Sequence, residues 1–525
     1  MNRSLLSAAS AFATHRRDVI LGGASLALLS WLPRVVTGAV QRSPRFETNP
    51  FTLGVASGDP APDGMVLWTR LAPRPTEGGG LPPEVYEVHW ELAADDQLRQ
   101  VVQRGSVLAT PQLGHSVHIE VQGLSPDRWY WFRFRCGDAE SVIGRTRTIP
   151  TLETMPERLR LAFISCQHYE QGLYTGYQHM NQEELDLIFH LGDYIYENGG
   201  RDGLVRKHTP GEIKSLEDYR NRHAQYRTDE FLQGAHARCP WLVVWDDHEV
   251  DNNYAGAISE EASVDADTLL LRRANAYQAY YEHMPLRRRS LPSGPDMQLY
   301  RRLQYGQLAN FAMLDTRQYR SDQPNGDGTK PLSEGVFDPQ ATVLGTKQEH
   351  WLMNGLLQST AQWNALAQQI MIARVDRKAG EEAAFSMDQW SGYDVPRKRL
   401  LRFLADRRVP NPVVLTGDIH SNWVNDLKLD FNYPDEPTIA TEFVGTSISS
   451  SGNGTQEPKG LKELLAENPF VKFHNAERGY VSCEITAKVW RSDYQVVEYV
   501  DRPGAPLVTR ASFVVENGRP GAQRV

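Results

Sequence analysis

The chain has 525 residues, of which 40% are hydrophobic and 23% are charged. This length predicts roughly two to four domains, and the composition excludes a wholly disordered or collagen-like chain. Because 56 basic side chains face 65 acidic ones, the net charge is −9, which does not favour stable nucleic-acid binding. Four scattered cysteines exclude a disulfide scaffold or a zinc ribbon.

Residues 1–39 predict an export signal. Arg16 and Arg17 stand directly before a weakly apolar stretch, Val19 to Leu32, that is too short to span a membrane. A small-residue pattern ending at Ala39 predicts the cleavage site. The paired arginines favour the twin-arginine translocation machinery, with an ordinary Sec signal as the alternative. We therefore expect a secreted or periplasmic protein without a transmembrane segment in its mature chain.

Residues 40–155 predict a small all-β sandwich. Short alternating runs, such as Met65 to Thr69 and Ser116 to Val121, are separated by turn residues. Leu124, Pro126 and Tyr130 precede a further run, and their spacing resembles the tyrosine corner of fibronectin-type and immunoglobulin-like domains. A coincidental turn is the alternative interpretation.

Residues 156–525 predict a layered α/β domain. Nearly continuous apolar runs are typical of strands that are buried on both faces of a sheet, and helical patterns lie between them. The runs are Leu159 to Ile164, Leu187 to Leu191, Trp241 to Trp245, Leu308 to Leu314 and Val413 to Leu415. The helical patterns are Gly172 to Leu187, Asp267 to His283 and Lys347 to Leu366. Tyr480 to Val515 alternates again and predicts edge strands.

Four of these runs end directly in polar side chains. The endings are Ser165-Cys166-Gln167, Gly192 to Glu197, Asp246 to Glu249 and Gly417 to His420. Because sites form at the carboxyl edge of α/β sheets, we expect one shared metal centre there. Ionising Tyr196 at neutral pH requires a strong Lewis acid, for which ferric iron is suited, whereas the carboxylates suit calcium, magnesium or manganese.

Two of the endings resemble the motifs of a known superfamily. Gly192-Asp193-x-x-Tyr196 and Gly417-Asp418-x-His420 are similar to motifs of the calcineurin-like and purple acid phosphatases. Cys166 stands in place of that superfamily's first aspartate, as in the PhoD-type alkaline phosphatases and phosphodiesterases. Further similar segments are Phe163 to Gln167, Trp245 to Tyr254, Leu314 to Arg320, Leu415 to Trp423 and Glu442 to Ser450.

The resemblance implies a cofactor of one ferric ion and two calcium ions. Residue by residue, it assigns iron to Cys166, Asp193, Tyr196 and His420. It also assigns calcium to a set consisting of Asp193, Asp247 and Asp418. A histidine that the superfamily supplies from a preceding strand has no counterpart in the segment Ala367 to Met371.

Three further residues are candidates for contact with the reacting phosphoryl group. His248 would position that group or donate a proton, with a structural hydrogen bond as the alternative. Arg317 and Asn252 would bind phosphate oxygens, with scaffold or surface roles as the alternative. Asp246 is either a ligand or a neighbour of the ligands.

We therefore expect an exported alkaline phosphatase that cleaves phosphate monoesters, diesters or both by in-line attack of a metal-bound water or hydroxide. One alternative is a dedicated phosphodiesterase or phospholipase D-like enzyme acting on wall teichoic acid, lipid or nucleic acid. The other alternative is a non-catalytic β-sandwich binding protein.

Overall fold

Strands dominate the chain, which the computed structural model describes over residues 40–209 and 211–525. The predicted export signal, residues 1–39, lies outside the described residues. Within those two ranges, no helix is both long and apolar enough to cross a membrane.

The strands are numbered in chain order. In the N-terminal part they are β1 (Val55–Ala61), β2 (Gly64–Arg70), β3 (Tyr86–Ala93), β4 (Val101–Ala109), β5 (Ser116–Val121), β6 (Trp129–Cys136), β7 (Ala139–Glu140) and β8 (Gly144–Arg147). They continue as β9 (Leu159–Ile164), β10 (Leu187–His190), β11 (Trp241–Val243), β12 (Arg301–Tyr305), β13 (Ala309–Met313), β14 (Thr329–Lys330), β15 (Trp363–Ala367) and β16 (Phe385–Ser386). The last are β17 (Pro412–Thr416), β18 (Asn422–Leu427), β19 (Ala440–Val444), β20 (Gly454–Thr455), β21 (Val471–Ile485), β22 (Val489–Val497), β23 (Leu507–Glu516) and β24 (Arg519–Arg524).

Seven α-helices lie in the described part of the chain. They are α1 (Thr175–Met180), α2 (Leu216–Arg227), α3 (Glu230–Arg238), α4 (Ala266–His283), α5 (Gly345–Leu357), α6 (Asp394–Asp406) and α7 (Leu461–Glu467). Helix α4 matches the pattern read from Asp267, and the Asp265 side chain caps it by accepting the Thr268 N–H.

The N-terminal strands form the predicted sandwich. Strands β3, β4 and β6 make one sheet with β7 and β8, and it shares a hydrophobic core with β1, β2 and β5. The tyrosine corner is confirmed, because the Tyr130 hydroxyl accepts the Ser125 N–H at 3.1 Å and donates to the Ser125 carbonyl oxygen at 3.3 Å. Strand β1 also pairs with β11, at Gly58 and Trp241. The domain boundary near residue 155 stays a prediction.

The remaining strands, apart from the separate pair of β14 and β16, form two parts of one connected sheet that also includes β1, β2 and β5, and β21 belongs to both parts. Strands β9, β10 and β11 are parallel neighbours, and so are β13, β15, β17 and β19. The first part of β21 pairs with β18, whereas its last part pairs with β9 and β22. The predicted α/β core with a preceding all-β domain is confirmed, and the parallel strands direct their carboxyl ends to the predicted metal residues.

Two predicted helices are too long. The pattern from Gly172 to Leu187 contains only α1, because Leu187 is buried as the first residue of β10. The pattern from Lys347 to Leu366 ends as a helix at Leu357, because Trp363–Ala367 is a fully buried strand between β13 and β17. A short apolar run is compatible with either structure, and here backbone bonding to two neighbouring strands selects the strand.

The ends of β10 and β11 approach each other at Gly192. This residue has φ of +108°, and a Cβ atom there would lie 2.4 Å from Asp246 Cβ and 2.5 Å from Asp246 N. Only glycine therefore allows the two chain segments to approach this closely.

We predict that Gly192→Ala lowers the free energy of unfolding by about 2–4 kcal/mol, through backbone strain and steric overlap. Gly203→Ala is the matched control, because Gly203 has φ of +81° but no atom within 4 Å of the added Cβ. The control should lose only about 1–2 kcal/mol. Urea unfolding measures both, and equal losses would contradict the steric contribution.

Candidate metal centre

The structure brings the four predicted iron ligands together. Cys166, Asp193 and His420 each offer a ligand atom, and these atoms lie within 4.8 Å of one another. The Tyr196 hydroxyl donates to Asp193 Oδ2 at 2.7 Å and lies 3.1 Å from His420 Nε2. Cys166, Asp193 and Tyr196 are buried, while His420 keeps partial exposure. Three strand ends thus supply one compact donor set.

Two further groups of possible ligand atoms contain the predicted calcium ligands together with His248 or Asp246. One group contains Asp193, Asp247 and His248, and the other contains Asp246, Asp247 and Asp418, each with ligand atoms within 4.8 Å. Because Asp193 belongs to the first set and Asp247 to both of the new ones, the groups are continuous. The structure places Asp246 among the candidate donors.

Several donors lie in the left-handed region of backbone conformation. The φ angles of Cys166, Asp193, Asp418 and His420 are +59°, +57°, +64° and +54°. Non-glycine residues adopt this conformation at a cost and are often found so at functional sites. Here each one follows a parallel strand closely, so the chain turns sharply as it leaves the sheet.

The donor chemistry fits a bound cation. Asp193 Oδ1, Asp246 Oδ2 and Asp247 Oδ1 are buried and have no hydrogen-bond partner among the described residues. Burial, followed by the charge of Asp193, raises the pKa of the Cys166 thiol and of the Tyr196 phenol well above their usual values. A cation at this position would reverse both effects and would satisfy the carboxylate oxygens.

Arg317 is fully buried among the carboxylates. Its Nε donates to Asp246, Nη1 and Nη2 donate to Asp388 at 2.8 and 2.9 Å, and Nη2 also donates to Asp418 at 3.3 Å. Burial favours a higher pKa for Asp247, but the positive charge of Arg317 outweighs this effect and lowers the pKa. For Asp418, burial is the larger effect and raises the pKa to about 7. The guanidinium predicted to bind phosphate thus holds carboxylates in place.

Asn252 is likewise occupied. Its side-chain amide donates to Glu260 Oε2 at 2.7 Å, and its backbone N–H donates to Glu197 Oε1 at 3.2 Å. The predicted contact between this amide and phosphate would require the Glu260 hydrogen bond to break.

His248 is oriented by a residue that the sequence analysis did not select. Glu197 Oε2 lies 2.7 Å from His248 Nδ1, and the His248 ring packs 4.1 Å from the Tyr196 ring. Burial opposes protonation, but Glu197 and then Asp247 raise the pKa of His248 well above its usual value. The contact with Glu197 fixes the ring through Nδ1, and Nε2 has no hydrogen-bond partner among the described residues.

Glu249 connects two of the ligand-bearing turns. Its carboxylate accepts the backbone N–H groups of Asp193 at 3.1 Å, of Asp246 at 2.7 Å and of Tyr194. The sequence offered a signal, since Glu249 lies beside the selected Asp247 and His248. Its role in joining the two turns could not be predicted, because these turns lie far apart in the sequence and meet only in the folded chain.

A serine loop contacts the donors that were predicted to bind iron. Ser450 Oγ lies 2.8 Å from the Tyr196 hydroxyl and 2.8 Å from the Cys166 carbonyl oxygen. Ser451 Oγ lies 2.9 Å from His420 Nδ1, which leaves Nε2 facing Tyr196. Such contacts fix the orientation of ligand side chains.

The position where the superfamily supplies another histidine carries glutamines. Gln368 Nε2 donates to Thr416 Oγ1 at 2.8 Å, and Gln369 Oε1 accepts from Thr316 Oγ1 at 2.7 Å. Both amides thus join neighbouring strand ends, as expected where that ligand is missing.

Comparisons with known proteins identify the family of this chain. The model of the PhoD-like phosphatase family matches residues 161–494, and that of the PhoD-like phosphatase N-terminal domain matches residues 37–150. The chain belongs to the PhoD-like phosphatase family. Alkaline phosphatase D of Bacillus subtilis (strain 168) is 50% identical over 519 residues, which cover 97% of this chain and 89% of that protein. A solved structure of PhoD has a TM-score of 0.90 at 51% identity and covers 92% of this chain and 93% of its own.

Membership of the PhoD-like phosphatases establishes the activity class. The chain is a phosphoesterase, a hydrolase of the alkaline phosphatase type. The predicted enzyme class is confirmed, and the alternative of a non-catalytic binding protein is set aside. The clustered donors are consistent with a metal-dependent enzyme.

Proposed function

We propose that this phosphatase uses one ferric ion and two calcium ions. Cys166, Asp193, Tyr196 and His420 would hold iron, and Asp193, Asp247 and Asp418 would contribute to the calcium sites. The supporting observation is a buried thiol and phenol beside carboxylates that raise their pKa, since such a donor set ionises only around strong positive charge. When bound, the ions supply Lewis acidity that polarises phosphoryl oxygens and activates the attacking water.

The residues of the chain supply positioning and a proton. We assign to His248 the donation of its Nε2 proton to the departing alkoxide, because Glu197 holds Nδ1 on the opposite side of the ring. We assign to Arg317 the positioning of Asp246, Asp388 and Asp418, because its guanidinium group donates a hydrogen bond to each of these carboxylates.

The iron and calcium assignments predict different losses from two substitutions. Cys166→Ala should lower iron per chain by at least about tenfold, because it removes a thiolate donor. Asp418→Ala should lower calcium and activity while iron is retained, and calcium chelation should abolish activity that calcium restores better than zinc. Elemental analysis and hydrolysis of p-nitrophenyl phosphate measure these effects.

Cys483→Ala is the matched control for the thiol, because Cys483 is also buried but contacts Ser492 and no candidate donor group. It should retain both metals. Equal loss of iron from the Asp418→Ala and Cys166→Ala variants, or activity that survives thorough calcium removal, would contradict the proposed division.

The proton-donor role predicts a dependence on the leaving group. Glu197→Gln should lower kcat on an alkyl phosphate by roughly 10²-fold or more, but on p-nitrophenyl phosphate by much less, because the nitrophenolate departs without protonation. The His248→Ala variant should behave in the same way, and the double variant should show little additional loss.

Glu442→Gln is the control for Glu197→Gln, since Glu442 is also buried but accepts from the Ile372 and Ala373 N–H groups and does not contact His248. Steady-state kinetics on phosphate monoesters with alkyl and p-nitrophenyl leaving groups compares the variants. The same assay on diesters measures whether the enzyme prefers monoesters or diesters. Equal losses on good and poor leaving groups would contradict proton donation by His248.

We further propose export by the twin-arginine route to the periplasm or the exterior. Arg16 and Arg17 support it, because they stand directly before the apolar stretch. Replacing both with Lys should leave uncleaved precursor in the cytoplasm, whereas Arg3→Lys, outside the pair, should be exported normally. Immunoblots of cell fractions measure this, and continued export of the Lys-Lys variant would contradict the proposal.

A further inference from the structure

His168 is a rigidly held ring beside the candidate iron ligands. Its ring centroid lies 4.4 Å from that of Tyr196 and 5.1 Å from that of His208. Its backbone is fixed on both sides, because the N–H donates to Ser450 Oγ at 3.0 Å and the carbonyl oxygen accepts from Ser449 Oγ at 2.9 Å. His168 belongs to none of the predicted ligand sets and has no part in the mechanism proposed above.

The hydrogen bonds of His168 define its tautomer. The backbone N–H of Glu170 donates to His168 Nδ1 at 3.2 Å. Nδ1 must therefore carry a lone pair, so the ring is neutral and its hydrogen is on Nε2. This conclusion follows from the direction of a backbone hydrogen bond, because an amide nitrogen can only donate.

The neighbouring polar groups do not use that hydrogen. His208 Nδ1 lies 3.0 Å from the Asn198 carbonyl oxygen and its Nε2 lies 2.9 Å from the Tyr226 hydroxyl, so both its ring nitrogens are engaged. His168, Glu170 and His208 offer ligand atoms within 4.8 Å of one another, but these hydrogen bonds leave them poorly suited to a second metal site. In the described part of the chain, nothing accepts from His168 Nε2, and the residue retains 7% exposure.

We infer that His168 Nε2–H donates a hydrogen bond to an oxygen of the substrate phosphoryl group and of released phosphate. The inference rests on the proposed metal centre as the place where that group binds. Its support is the ring's contact with Tyr196, the defined tautomer and the otherwise unused donor. A neutral donor that is already oriented binds an anion without adding a charge that repels the metal ions.

This role has a distinct kinetic signature. Because substrate and product both carry phosphoryl oxygens, loss of the donor should raise KM and the inhibition constant of inorganic phosphate more than it lowers kcat. One neutral hydrogen bond corresponds to an effect of about three- to tenfold.

Three variants separate the donor from the ring. His168→Phe keeps the stacking surface without a donor, and His168→Asn keeps an acceptor for the Glu170 N–H without reaching as far as Nε2. His168→Gln places an amide donor at about the reach of Nε2 and removes the ring. We expect the Phe and Asn variants to weaken phosphate inhibition about three- to tenfold and the Gln variant to recover most of it.

The assay uses the metal-loaded protein, with metal content and the thermal unfolding midpoint measured for each variant. A Gln variant no better than the Asn variant, or a Phe variant with wild-type inhibition by phosphate, would overturn the inference. Loss of metal from all three variants would also overturn it and would indicate a structural role. If the wild-type protein itself binds neither metal nor phosphate, the proposed metal centre fails instead.

Discussion

The structure concentrates more negative than positive charge at one buried sheet edge. Asp193, Asp246, Asp247 and Asp418 converge there with a thiol and a phenol, while Arg317 is the guanidinium that contacts several of them at once. Burying carboxylates without a compensating positive charge costs free energy. Without such a charge, buried carboxylates tend to stay protonated. A bound metal cation would compensate these charges, and the fold around the edge holds the donors close together.

The surrounding strands, turns and hydrogen bonds hold these donor side chains in place. Parallel strands bring distant segments to the same edge, and left-handed residues such as Cys166 and Asp418 turn the chain directly afterwards. Glu249 then joins two turns through backbone hydrogen bonds, and Ser451 orients His420. These contacts fix the orientation of the donor side chains, and fixed polar groups are how such sites stabilise developing charge.

The sequence predicted those parts of the site that have a local signature. A continuous apolar run followed by Cys166, Asp193 or Asp247 shows both a buried strand and what lies at its end. Asp388 has no such signature, because it lies in an irregular segment and contacts Arg317 only through the tertiary fold. The strand β15 could not be predicted for the same reason. Its short apolar run is compatible with a helix or a strand, and pairing with β13 and β17 selects the strand.

The most direct test of the charge argument is a crystal structure of the loaded enzyme with anomalous diffraction measured across the iron absorption edge. Our account predicts an iron peak among Cys166, Asp193, Tyr196 and His420, and electron density for calcium beside Asp247 and Asp418 without an iron signal. An unoccupied edge in an active enzyme, or a peak that lies away from Cys166 and Tyr196, would contradict the central claim.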